Sequence, residues 1–167
     1  INLISETMEN TKSPCGCPCS QTLDLRDNKE NTTDSFDGKV PSQLRQWPIQ
    51  MHLISPNAAY FKNADVLIAA DCTAFAMGSF HTDLMKGKSI AIACPKLDSD
   101  MEVYTDKIKA MIDDANINTL TVTIMEVPCC SGLLRMAQMA QEKASRKVPI
   151  KLIVLNLKGE IAKEMWV

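Results

Sequence analysis

Beyond residue 43 the chain alternates between short apolar runs and longer stretches whose apolar residues recur at helical spacing. The runs at 66–70, 89–93, 120–127 and 150–155 are rich in Val, Ile, Leu and Ala, as strands covered on both faces are. Between them lie three helical stretches. The first, 74–86, is closed by Gly87; the third is 133–144. The second, 101–115, has Val103, Ile108, Met111 and Ile112 at roughly helical spacing and Asp98 to Asp100 as caps. A strand followed three times by helix and strand predicts an α/β fold. It would be a three-layer parallel sheet with right-handed crossovers and helices on both faces. The pattern also predicts an extra strand over 49–54, within the prefix 43–55, and a short helix or turn over 58–63. The segment 161–167 reads as an edge strand or short helix.

Residues 1–40 carry no such periodicity. Asp27, Asn28, Asn31, Thr32, Thr33, Asp34, Ser35, Asp37 and Gly38 read as one long loop. Upstream of it sits Ser13-Pro14-Cys15-Gly16-Cys17-Pro18-Cys19-Ser20, where two prolines and a glycine forbid a stable element. The chain thus divides into an irregular segment, 1–40, with a Cys-x-Cys-x-Cys motif, and an α/β domain, 41–167.

Charge and composition narrow the function. A net charge of −2, two Tyr, two Trp and no basic stripe argue against nucleic acid. No apolar run approaches the roughly 18–20 residues of a membrane span, and the start lacks the basic and apolar parts of a signal peptide. A first residue of Ile fits a processed or truncated piece of a longer chain. The ten Met suit a soft core. The cysteines number seven, an odd count in a chain without an export signal, which points to a cytoplasmic protein with reduced thiols or metal ligands.

Their positions say more. Cys72 follows the first predicted strand of the sheet, Cys94 ends the second, and Cys129 and Cys130 follow the third. All fall at carboxyl-end strand tips, where open α/β sheets place their ligands. Thiolate-only donor sets favour iron–sulfur clusters, Zn or Cu(I), and a cluster takes four thiolates. The segment Cys15, Cys17 and Cys19 folding back would complete such a set. The chain has no Cys-x-x-Cys pair of zinc spacing and no small-ferredoxin run, so free thiols or a redox disulfide are the competing reading. Around these tips, Asp71 reads as a helix cap or a tuning group and Lys96 as a solvated or tuning cation. Gly132 lets a helix start come close to a ligand. His52 reads as a hydrogen-bonded, half-buried strand residue, and His81 as an ordinary helix residue.

Four segments carry a resemblance. They are 43–53 (QLRQWPIQMHL), Ala69-Ala70-Asp71-Cys72, Cys94-Pro95-Lys96-Leu97-Asp98 and 125–132 (MEVPCCSG). Together they resemble the 4Fe-4S ferredoxin-type cluster-binding proteins of anaerobes, over roughly residues 14–160. In such proteins this region follows a two-cluster ferredoxin module, so the resemblance implies a chain that starts in mid-stream. Gly16-Cys17-Pro18 matches the family's Gly-Cys-Pro motif; Cys15 and Cys19 lie outside it. The implied function is electron transfer through a [4Fe-4S] cluster, with a redox partner protein. The expected ligands are Cys17, Cys72, Cys94 and Cys129, with Cys130 as the substitute. A redox enzyme using a site-differentiated cluster and a metal-free thiol-switch module are the alternatives. The ending Met165-Trp166-Val167 suits either a homodimer contact or packing on the same chain.

Overall fold

The computed structural model describes residues 22–26 and 38–167. In chain order the strands are β1 (Leu23–Asp24), β2 (Gln46–Trp47), β3 (Asp65–Ala70), β4 (Ser89–Ala93), β5 (Thr119–Met125), β6 (Ile150–Leu155) and β7 (Ile161–Trp166). The α-helices are α1 (Thr73–Ala76), α2 (Met101–Asp113) and α3 (Ser131–Lys143). The main sheet has the order β4-β3-β5-β6-β7. Its first four strands are parallel, and β7 runs antiparallel to β6 along one edge.

The apolar runs made this sheet. In β3, Val66, Leu67 and Ile68 are all fully buried, and each such side chain stabilises the fold by about 1.5–3 kcal/mol. From β3 the chain steps outward to β4; from β4 it returns across β3 to β5, then on to β6. Right-handed crossovers therefore put α1 on one face and α2 and α3 on the other. Accordingly α2 packs on α3, while α1 packs on β3 and β5. Tyr104, Ile108, Met111 and Ile112 of α2 and Leu133, Ala137 and Ala140 of α3 are buried.

Two sequence expectations need correction. The stretch 74–86 is not one helix. The α-helical part ends at Ala76, Met77 is extended, and a π-helix follows over Phe80–Met85. Gly78 weakens the helix interior there. Nor is 49–54 a strand. Gln50 makes a single parallel bridge to Ile92, and the chain then turns, with Ile54 N–H bonded to the Gln50 carbonyl at 3.0 Å. The carbonyls a strand would offer to a ladder go to Lys107 instead. Its Nζ donates to the oxygens of Met51, His52 and Ile54 at 2.8, 2.8 and 2.9 Å.

The strand in this prefix is β2, paired antiparallel with β1. The Gln46 side chain, fully buried, extends the sheet by accepting from the Ile90 amide at 3.0 Å and donating to the Ile90 carbonyl at 2.8 Å. The segment from Gln46 to Gln50 thus lies along the outer edge of β4 and runs in its direction. The expected turn at 58–63 is a 3-10 helix over Ala59–Phe61, and 161–167 is a strand.

Candidate functional site

β4, β3 and β5 are neighbours and run the same way, so their carboxyl ends share one rim of the sheet. Cys72, Cys94, Cys129 and Cys130 all lie just past those ends. The connections that leave β3 go to one face and those that leave β5 to the other. The gap between them is the crevice where open α/β sheets take ligands. Cys72 lies on the connection that leaves β3, Cys129 and Cys130 on the one that leaves β5. Cys15, Cys17 and Cys19 lie outside the described residues.

The four thiols are free and differ in exposure. Cys72 and Cys129 are exposed, Cys94 is half-buried and Cys130 is buried. Burial pushes the Cys130 thiol above its ordinary pKa, and the charges of Cys129 and Cys72 push the same way. A backbone hydrogen bond from Met125 opposes them. Cys130 closes a 3-10 turn over Pro128–Cys130, its N–H bonded to the Val127 carbonyl at 3.1 Å, and α3 begins at the next residue.

The loops on either side of β3 touch. A Cβ on Gly132 would stand 3.1 Å from the Pro95 Cβ, so the glycine makes room for the neighbouring loop. The Cys94 loop is itself closed by Asp98. Its Oδ2 accepts from the Cys94 amide at 2.9 Å and from the Tyr104 hydroxyl at 2.7 Å. In return the Asp98 amide donates to the Cys94 carbonyl at 2.9 Å. Burial first, then the bond to Asp98, pushes the Tyr104 phenol far above its usual pKa. The His52 ring meets Tyr104 edge-on, with centroids 4.6 Å apart.

Asp71 caps nothing. The N-cap of α1 is Cys72, without a side-chain bond, while the buried Thr73 hydroxyl donates back to the Ala70 carbonyl at 2.7 Å. Among the described residues the buried Oδ1 of Asp71 has no hydrogen-bond partner. Burial raises its pKa, the charge of Asp98 adds to the rise, and a hydrogen bond from Gln50 works against both. His52 is exposed in a turn rather than half-buried in a strand, Lys96 is exposed, and His81 accepts the Gln43 amide at 3.1 Å.

Sequence reasoning missed the roles of Asp98, Tyr104, Gln50 and Lys107. Only Asp98 left a signal, an acidic side chain four residues past Cys94 in a loop that begins Cys-Pro. Among the described residues, no group of three or more His, Cys, Asp and Glu side chains forms a shell for one metal ion. No helix among them is long and apolar enough to cross a membrane.

A protein of Archaeoglobus fulgidus, described only as uncharacterized, is 27% identical over 119 residues, covering 71% of this chain and 83% of its own. No solved structure matches the chain. The model of the Rossmann-like domain family matches residues 58–166, which takes in β3 to β7 and the whole cysteine rim. The chain belongs to the Rossmann-like domain family.

Proposed function

We propose that this domain binds a [4Fe-4S] cluster at the carboxyl rim of its sheet and carries single electrons between redox proteins. The observation that carries the reading is the gathering of Cys72, Cys94, Cys129 and Cys130 past three adjacent parallel strands. Within that group Cys130 feels the charge of both Cys129 and Cys72. Thiolates are the donors such a cluster takes, and four are required. A buried thiol resists ionising, and bonding to iron removes that resistance. The four sulfurs around a cube of iron stand wider apart than the donors around one ion, in keeping with thiols spread over three loops.

The fold also favours delivery of Cys17. β1 is antiparallel to β2, and the segment after β2 runs with β4. Traced backwards from Asp24 to Thr22, the chain therefore heads towards the cysteine rim. Cys17 is five residues before Thr22, a reach of up to about 18 Å at 3.3–3.6 Å per residue. The resemblance to the 4Fe-4S ferredoxin-type proteins implies Cys17, Cys72, Cys94 and Cys129 as the ligands, with Cys130 as the substitute. A dinucleotide reading finds less support. The turn after β3 reads Asp71-Cys72-Thr73-Ala74, without the glycines that let a backbone approach a pyrophosphate.

In this role a reduced partner protein gives one electron and an oxidised one takes it, with no bond made or broken in the chain. A bound cluster supplies the orbital in which that electron rests. The protein's part is to hold four sulfurs in place and to set the surrounding charge. The test is iron and sulfide analysis with an absorption spectrum of anaerobically reconstituted protein. About four irons per chain are expected; fewer than about one ends the cluster reading.

A further inference from the structure

Resting on that reading of the rim, we propose that Asp98 and Tyr104 are positioning residues that set the reduction potential of the centre from behind the Cys94 loop. Peptide N–H groups near ligand sulfurs favour the reduced, more negative state of a cluster. Here the Cys94 amide is already engaged, donating to Asp98 Oδ2 at 2.9 Å. Asp98 thereby removes a donor from the sulfur side and adds a carboxylate at the same place. Both effects oppose the arrival of an electron.

Tyr104 acts in the other direction. Its hydroxyl donates to the same carboxylate oxygen at 2.7 Å and draws charge away from it. The phenol is held firmly in that position, because its residue is fully buried in α2 and its ring is backed by His52 at 4.6 Å. On this proposal the Asp98 carboxylate lowers the potential of the centre, which calls for a strongly reducing donor protein.

The test is an anaerobic redox titration of the reconstituted full chain, followed by EPR, for wild type, Asp98→Asn and Tyr104→Phe. Asparagine still accepts both bonds but carries no charge. Its variant should be reduced more easily, by about tenfold in the equilibrium constant, or about 59 mV for one electron. Phenylalanine keeps the packing but leaves the carboxylate without its donor, so this variant should move the opposite way. A loop merely loosened by substitution would shift both variants in one direction. Reduction equilibrium constants within about threefold of wild type, or shifts of the same sign, overturn the inference while leaving the cluster reading intact. A wild-type chain that takes up no iron overturns both. Should Asp98→Asn not fold, Tyr104→Phe decides alone. A lower potential supports the proposal; an unchanged or higher one refutes it.

Discussion

Pro95 and Gly132 touch across the end of β3: a Cβ on the glycine would lie 3.1 Å from the proline Cβ and 3.7 Å from its Cγ. Pro95 belongs to the loop that carries Cys94, and Gly132 to the first turn of the helix that follows Cys130. The spacing between two cysteine-bearing loops is thus set by the absence of one methyl group.

Gly132→Ala should therefore change stability by less than about 1 kcal/mol, because alanine's better helix propensity offsets the crowding. Gly132→Val adds branching against the proline ring and should cost about 1–3 kcal/mol. Urea denaturation checks both values. The more telling readout is iron retention, which should fall from glycine to alanine to valine if the loop spacing holds the centre. Equal retention in all three would separate the loop contact from the site.

Lys107 takes three carbonyls that no strand partner claims. Lys107→Met keeps much of the apolar stem and removes the donors. Hydrogen bonds to a charged group contribute about 1.5–3 kcal/mol, so a loss of about 2–3 kcal/mol is expected. Hydrogen exchange should quicken first at the amides of Leu53 and Ile54, which close that turn. Uniform quickening across the sheet would contradict a local role.

Acid should loosen the end of α2. Lys109 and then Ser145 hold the Asp113 carboxyl down to a pKa of about 2, against an ordinary value of 3.8. A depressed carboxyl stabilises the fold fully above its unfolded value and loses that contribution as pH falls through the folded value. The urea midpoint should accordingly drop as pH is lowered from about 4 to 2, and Asp113→Asn should flatten that drop. An identical pH profile in the variant would place the acid sensitivity elsewhere.

Thiol labelling should report the rim directly. In metal-free native protein, iodoacetamide is expected to modify the exposed Cys72 and Cys129 well before the buried Cys130, whose raised pKa also keeps it protonated. Cluster assembly should protect Cys72 and Cys129 as well. Mass spectrometry after partial labelling reads both states, and fast labelling of Cys129 in iron-loaded protein would remove it from the ligand set.

What the sequence disclosed follows from how local each cause is. β3 to β6 were legible because strands buried on both faces write themselves as unbroken apolar runs. The cysteine rim was legible because strand ends can be counted along the chain. The false strand at 49–54 arose because its carbonyls are claimed by Lys107, more than fifty residues away in sequence. The break in 74–86 falls around Gly78, which the apolar residues on either side mask in a periodicity reading. The bonds that join Asp98 to Cys94 and Tyr104 depend on how a loop closes over a helix start, and no periodicity records that.

The two margins of the sheet are defended unequally. Along β4, Ile90 and Ile92 have their outward amides and carbonyls occupied by Gln46, Ile49 and Met51. Along β7 every residue from Ile161 to Trp166 is exposed, and among the described residues no strand lies beyond it. Among the described residues, lengthening of the sheet by an incoming strand is therefore open on the β7 flank, and Lys163 and Glu164 at the middle of that flank make the newcomer meet charge before it meets backbone.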